Sequence, residues 1–214
     1  YYDPYTEPLN NRQFNRILKF LKNNYTIRPI NDLYSSYKND LTQSCFIVFD
    51  DALMDFYSNS WNICKLNNVP VTLFIPTEPV SSAKIYWSLQ LISSFINTKS
   101  KFISFSHHGN NYHYDLTINS KLKSFRKIHH YLLNLDIRQR DILFNKIIND
   151  LGCVDSIEQF QMITYKILEK LINEGLDVQS HTKCHNYLPS VSDEVLHHEF
   201  SHSKKKLNNR KKKA

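Results

Sequence analysis

The chain has 214 residues, a formal net charge of +7 and a hydrophobic share of 41%. This length and composition indicate one medium globular domain, leave little room for two full domains, and exclude a wholly disordered chain. Seven of the 27 lysine and arginine residues lie in the last eleven positions and the rest of the chain is close to charge balance, so no basic face is expected on the folded part. We expect residues 208–214 to form a basic, disordered tail, and nucleic-acid binding through this tail is the minority interpretation.

The compartment is weakly constrained by the sequence. The four cysteines show no CxxC pair and no framework spacing, which favours reduced thiols. No segment is apolar enough over the length that a transmembrane span requires. Residue 1 is Tyr rather than Met, so a removed signal peptide stays open, and the cell envelope or the extracellular side is favoured. The oligomeric state is undetermined.

The first half of the chain alternates helix and strand. Apolar residues at helical spacing predict helices over residues 11–22, 55–67 and 85–96, with one or two helical turns over 31–37. Continuous apolar runs predict strands over 45–49 and 71–75. The first of these reads as a strand buried on both faces, as in a parallel sheet. The alternation indicates parallel βα units.

The pattern changes between residues 100 and 155. Residues 101–106 and 112–116 predict a hairpin, and two helices are predicted over 121–135 and 136–151. We interpret this segment as a helical insertion within a single domain of residues 1–207.

The βα pattern then returns. A helix is predicted over residues 164–174, with Thr164 as its N-cap and Gly175 just after its end. A strand over 176–179 follows, and Ser192 is expected to cap a last helix from residue 193 to about 207.

Polar residues follow two of the predicted strands directly. Asp50 and Asp51 come after the first strand, and His181 and His185 come after the last one. In α/β barrels the site is built at the carboxyl ends of the strands, so these residues are expected to meet. Two histidines and one carboxylate leave an open coordination position, as in catalytic zinc sites. Alone, the histidine pair reads as a surface loop and the Asp pair as a turn or cap; the combination favours a metal site.

These segments resemble motif regions of the polysaccharide deacetylases of carbohydrate esterase family 4. The first motif region, an apolar strand that ends in Asp-Asp-Gly, is similar to FIVFDDALMDFYSNSWNICKLNNVPVTLFI. The second, His-Ser/Thr-x-x-His after a Gly-led strand, is similar to MITYKILEKLINEGLDVQSHTKCHNYL. The segment LNNRQFNRILKFLKNNYTIRPINDL resembles the N-terminal helix of that family. The resemblance covers most of the chain outside the insertion and implies a distorted, incomplete (β/α) barrel.

The resemblance also implies a function and a role for each site residue. The chain would be a metal-dependent hydrolase that removes N-acetyl groups from a polysaccharide containing N-acetylhexosamine, using a metal-activated water. Asp51, His181 and His185 would bind a divalent metal, with zinc favoured over other first-row ions. Asp50 would be the general base. Thr182 matches the Ser/Thr position of the motif and would brace the histidine loop by hydrogen bonding.

Two departures from the family pattern leave an alternative open. Ala52 stands where the family has Gly, and the later motifs, which supply an oxyanion donor and a general acid, are expected beyond Leu207, where the sequence reads NNRKKKA. Loss of an oxyanion donor typically costs ~10²–10³ in rate. The alternative function is therefore a truncated or degenerate homologue that binds metal or glycan without efficient turnover.

The remaining paired histidines (His107, His108, His129 and His130) are expected to be solvated or packed within the insertion.

Overall fold

A computed structural model of the chain describes residues 9–34, 41–152 and 160–211, with side chains up to residue 209. These residues fall into two compact units. The sheet unit comprises the described residues of 7–84, 161–185 and 198–214, and the helical unit comprises those of 85–160 and 186–197. The predicted mixed α/β class is confirmed.

The sheet unit begins with an amphipathic helix and a small parallel sheet. Helix α1 (Asn11–Asn24) starts at a capping box, in which the Asn10 side chain accepts a hydrogen bond from the backbone N–H of Gln13 and the Gln13 side chain accepts one from that of Asn10. Strands β1 (Thr26–Ile27) and β2 (Ser44–Cys45) then pair in parallel.

The main sheet of this unit has three parallel strands in the order β3 (Ile47–Phe49), β4 (Val71–Ile75) and β7 (Asp177–Ser180). The central strand β4 carries most of the buried side chains of this sheet, because neighbours flank it on both sides. The strand predicted over 45–49 is divided between β2 and β3. It is not buried on both faces: β3 lies at an edge of the described sheet, and Val48 is 45% exposed.

The helices of the sheet unit follow the predicted order with one addition. The helix predicted over 55–67 is a π-helical segment (Phe56–Ser60) that continues into α2 (Trp61–Leu66). Helix α3 (Thr77–Ser82) directly follows Pro76 and was not predicted.

Helices α7 and α8 also belong wholly or mostly to this unit. In α7 (Tyr165–Asn173) the Thr164 hydroxyl accepts a hydrogen bond from the Ile167 N–H, and Gly175 adopts φ +98° after the helix, where glycine is favoured. Helix α8 (Asp193–Lys211) is preceded by Ser192, whose hydroxyl accepts a hydrogen bond from the Val195 N–H. The helix extends into the segment predicted as a tail, of which residues 212–214 lie outside the described part.

The helical unit packs three helices with a hairpin. Helix α4 (Trp87–Asn97) is followed by the antiparallel strands β5 (Phe102–His107) and β6 (Asn110–Asp115), joined by a two-residue turn in which both residues have positive φ. Helices α5 (Lys121–Leu133) and α6 (Ile137–Leu151) complete the unit. Its core includes the fully buried side chains of Phe95, Phe125, Ile128, Leu132 and Ile147.

The three sheets do not join, and the part of the chain that the structure describes forms no closed barrel. The barrel form of the fold therefore stays a prediction. Within that same part, no helix is long and apolar enough to cross a membrane.

Three cysteines are free thiols, Cys45, Cys64 and Cys184, whereas Cys153 lies outside the described residues. The predicted turns over 31–37 are described only to residue 34, as a 3₁₀ turn (Ile30–Leu33).

Candidate metal centre

The predicted site residues follow two strands of the same parallel sheet. Asp50 and Asp51 come directly after β3, and His181 comes directly after β7. Because β3, β4 and β7 run in parallel, their carboxyl ends lie at one edge, where α/β sheets bind ligands. The His181 N–H donates to the Ile75 carbonyl over 2.8 Å, which extends the β4–β7 pairing up to the first histidine.

Three side chains converge at this edge. The Oδ1 atom of Asp51 lies 3.4 Å from Nε2 of His181 and 3.0 Å from Nε2 of His185. One ligand atom from each residue lies within 4.8 Å of the other two. In a tetrahedral zinc site with metal–ligand distances of about 2.0–2.2 Å, neighbouring donor atoms are about 3.3–3.6 Å apart. The donor types and their spacing therefore fit one divalent ion.

The three side chains are only partly exposed. Their exposed fractions are 30% for Asp51, 34% for His181 and 28% for His185, so the cluster is held by the protein and still reaches solvent. The hydrogen-bonding contact with Asp51 raises the pKa of His181 above its ordinary value, against the opposing effect of burial; the charges of Asp51 and Asp50 act in the same direction. The carboxylates thus create a local field that favours positive charge between the histidines.

The backbone around the site is strained. Asp51 (φ +72°), Ala52 (+57°), Thr182 (+67°) and His185 (+59°), four of the eight described non-glycine residues with positive φ, all lie at the site. Such residues persist only where surrounding contacts fix them, and they cluster at functional sites. Ala52, which stands at the Gly position of the motif that this segment resembles, keeps a conformation that glycine adopts more easily, and its methyl group is fully buried.

The Asp50-Asp51 turn is held by the segment before α7. The Ala52 N–H donates to the Asp50 carbonyl over 2.9 Å, and the Ala52 carbonyl accepts from the Ile163 N–H over 2.8 Å. An antiparallel bridge between Leu53 and Met162 continues this contact. The chain directly after Asp51 is therefore held by residues far away in sequence.

The histidine loop is closed by hydrogen bonds of its own and of α3. The Thr182 hydroxyl accepts a hydrogen bond from the His185 N–H over 3.2 Å, across the loop between the two histidines. The Thr77 and Glu78 N–H groups donate to the carbonyls of Thr182 and Lys183 over 3.2 and 2.8 Å. These are N–H groups of the first turn of α3, which have no partner within their own helix. The unpredicted helix α3 thus holds the loop that carries the histidines.

Sequence reasoning missed Glu199, which also contacts this loop. Glu199 is 2% exposed, and its Oε2 atom accepts hydrogen bonds from the Lys183 and Cys184 N–H groups, both over 2.8 Å. Burial first, and then the Glu199 charge, raise the pKa of the Cys184 thiol to about 11. A signal existed in the sequence: Glu199 shares an i, i+4, i+8 row of α8 with Ser203 and Leu207, and all three are buried.

Asp50 is placed beside the three converging residues. It directly precedes Asp51, its side chain is exposed, and its charge acts on His181. The structure therefore brings Asp50, Asp51, His181, Thr182 and His185 into one neighbourhood of the sheet unit. Their assignment as base, metal ligands and brace stays a prediction.

The paired histidines of the predicted insertion have other surroundings, all within the helical unit. His107 Nδ1 lies 2.7 Å from the Tyr131 hydroxyl, and His129 stacks on Trp87 and Phe125. His108 and His130 are exposed. These positions agree with solvated or packing roles.

Comparisons with known proteins give a likeness of fold. No protein-family model matches the chain, and no curated protein matches it in sequence. Among solved structures, the chain is similar to the deacetylase PplD of Streptococcus pyogenes in complex with acetate, with a TM-score of 0.51 and 15% sequence identity. The likeness covers 94% of this chain, and the chain spans 58% of the length of that solved chain. At this identity the likeness shows the fold alone: the chain has a deacetylase-like fold.

Proposed function

We propose that this chain is a metal-dependent N-deacetylase of the carbohydrate esterase type, acting on a polysaccharide that contains N-acetylhexosamine. The observation that carries the proposal is the convergence of Asp51, His181 and His185. The Nε2 atoms of His181 and His185 lie 3.4 and 3.0 Å from the Oδ1 atom of Asp51. The deacetylase-like fold supports the proposal. We propose that this fold is a distorted, incomplete (β/α) barrel.

The donor set of two imidazoles and one carboxylate suits zinc best and accepts other first-row metals. A bound divalent ion would supply a lowered pKa for water and polarisation of the acetamide carbonyl. Asp51, His181 and His185 would hold the ion, and their partial exposure leaves room for water and substrate to reach it.

Asp50 would accept the proton of the attacking water. Its exposed carboxylate adjoins the ligand Asp51 in sequence and directly follows a strand of a rigid sheet, which is the placement that a general base needs. Because Asp50 is not among the three converging donors, its proton transfer and the binding of metal are separable by mutation.

The test is acetate release from acetylated chito-oligosaccharides by the zinc-loaded chain, compared with the Asp50→Asn variant. Removal of a general base typically costs ~10²–10⁴ in kcat, and we expect a loss in this range with the zinc affinity within a few-fold of the parent. Asp193→Asn, which changes a carboxylate in the first turn of α8, serves as the control and should retain full release. Equal release by the parent and Asp50→Asn would contradict the base assignment.

The same experiment separates the alternative function. A chain that binds zinc tightly, binds the oligosaccharide and releases no acetate would be a degenerate homologue without turnover. Acetate release that requires both zinc and Asp50 would support the enzyme.

A further inference from the structure

A buried carboxylate lies behind the histidine loop, on the helix packed against it. Glu199 is 2% exposed, and one oxygen of its side chain accepts two backbone hydrogen bonds of 2.8 Å. Both donors, the N–H groups of Lys183 and Cys184, belong to the short stretch between His181 and His185. A side-chain hydrogen bond with Cys184 adds a third contact to the same loop.

The position of this charge is not explained by packing alone. Removing a carboxylate from water is costly, and an apolar side chain of similar volume would fill the same space on α8 at lower cost. The two N–H groups that Glu199 accepts from are turned toward α8 by a loop that carries left-handed φ at Thr182 and His185. A conformation of this kind persists where the surroundings fix it, and the Glu199 contacts supply such fixation.

A second contact from the same face of α8 reinforces the arrangement. Ser203, one turn after Glu199 and fully buried, places its hydroxyl 2.6 Å from that of Ser180, the residue before His181. Lys206, further along α8, pairs with Glu78 over 3.2 Å, and the Glu78 N–H binds the Lys183 carbonyl. The loop is thus held through its carbonyls by α3 and through its N–H groups by α8.

We propose that Glu199 is a positioning residue of the metal centre, which sets the separation and orientation of His181 and His185 by fixing the backbone between them. This inference rests on the proposed metal-binding function of the two histidines. Outer partners of this kind typically change metal affinity by about 10- to 100-fold when they are removed.

The test measures metal binding directly, so that it does not depend on catalysis. Zinc affinity is determined by competition with a chromophoric chelator, and the d–d absorption of the cobalt-substituted full chain reports the ligand geometry. Glu199→Gln keeps the length and one acceptor oxygen but removes the charge, and Glu199→Ala removes the acceptor. We expect zinc affinity to fall by about 10-fold in the first and by up to about 100-fold in the second, with an altered cobalt spectrum in both. Glu194→Gln, on an exposed residue of the same helix, should change neither.

A merely structural role predicts a different result. In that case the Glu199 variants would unfold at a lower temperature without metal, yet bind zinc with the parent affinity and give the parent cobalt spectrum, and this outcome would overturn the proposal. An equal loss of affinity in Glu194→Gln would overturn it as well. Should Glu199→Ala not fold, Glu199→Gln remains the deciding variant, with Glu199→Asp, which keeps the charge but shortens the reach, as its partner. Loss of zinc affinity in a chain that releases no acetate would support the role of Glu199 while contradicting the deacetylase function.

Discussion

Histidines occupy two contrasting environments in this chain. In the sheet unit, His181 is 34% exposed beside the Asp51 carboxylate, and its pKa is raised. In the helical unit, His129 stacks on Trp87 at 5.3 Å between ring centroids and on Phe125 at 5.5 Å, and burial lowers its pKa to about 4. A carboxylate neighbour favours positive charge at the imidazole, whereas aromatic surroundings favour the neutral ring. The same residue type therefore lies in a polar, charged cluster in one unit and in an aromatic packing environment in the other.

The backbone conformation also differs between the two environments. His129 lies inside the regular helix α5, where the conformation is unstrained. His185 lies in a loop with φ +59°, anchored by α3 and α8 on a rigid sheet. Binding residues are commonly placed on loops that a scaffold positions. Strain and exposure at the candidate metal centre are thus what a binding site requires, whereas the regular helix around His129 is typical of a core.

The largest expected effect is loss of metal binding on removal of one ligand. His181→Ala should lower zinc affinity by more than about 100-fold, beyond the range typical of an outer partner, because a directly coordinating nitrogen is lost. His181 is preferred to His185 for this substitution because it is not among the described residues with positive φ, so that the change adds no backbone strain. Isothermal titration of the full chain with zinc measures the effect.

His129→Leu provides the matched reversal. It should leave zinc affinity unchanged and lower the thermal unfolding temperature, because the ring stacked on Trp87 and Phe125 is replaced by a branched aliphatic side chain of different shape. Unchanged zinc affinity in His181→Ala, or lowered zinc affinity in His129→Leu, would contradict the proposed difference between the two environments.

The second prediction uses the pH dependence of stability. The pKa of His129 is about 4 in the folded chain, below the ordinary value of 6.5, so the unfolded chain takes up a proton first as the pH falls. Stability is therefore complete above pH 6.5 and declines between pH 6.5 and 4. After a discount for partial exposure, we expect His129 to account for about 1–2 kcal/mol of the decline between pH 7 and 4.5.

Denaturant unfolding of the chelator-treated chain at a series of pH values measures this decline. His129→Phe keeps an aromatic ring in the stack and should remove that part of the slope, whereas His197→Gln, at an exposed residue of α8, should retain it. Identical slopes in all three proteins would show that His129 is not the group that titrates.

Much of this comparison was predictable from the sequence. The helices of the helical unit follow from apolar periodicity, and the meeting of Asp51 with His181 and His185 follows from the rule that parallel strands end at one edge. What the sequence did not reveal depends on long-range packing. The exposure of Val48 depends on the position of β3 at the edge of the described sheet, which an apolar run does not encode. The spacing of Glu199 with Ser203 and Leu207 indicates a shared face of α8, but it does not indicate that the carboxylate contacts the loop between the histidines.

The different roles of the two acids were predicted from the family resemblance and not from the residue types alone. The structure shows where the two carboxylates lie but does not test their roles. Asp50 and Asp51 are neighbours in sequence, yet only Asp51 lies within the group of converging donors among the described residues. The difference arises from the left-handed φ of Asp51, which turns the chain after β3. No pattern of residue types predicts that turn with Ala in the place of Gly.

The smallest expected effect concerns that turn. Ala52 and Ala83 both have left-handed φ, +57° and +53°, but the Ala52 methyl group is fully buried whereas Ala83 is exposed. Relief of the left-handed strain is worth about 1–2 kcal/mol, and loss of a buried methyl group costs about 0.8 kcal/mol. Ala83→Gly should therefore raise the free energy of unfolding by about 1 kcal/mol, and Ala52→Gly by less, with zinc affinity retained in both. Denaturant unfolding measures both variants. A larger gain in stability for Ala52→Gly than for Ala83→Gly would mean that the strain at the candidate metal centre exceeds that of an ordinary left-handed residue. A loss of zinc affinity in Ala52→Gly would mean that the strained turn itself holds Asp51 in place.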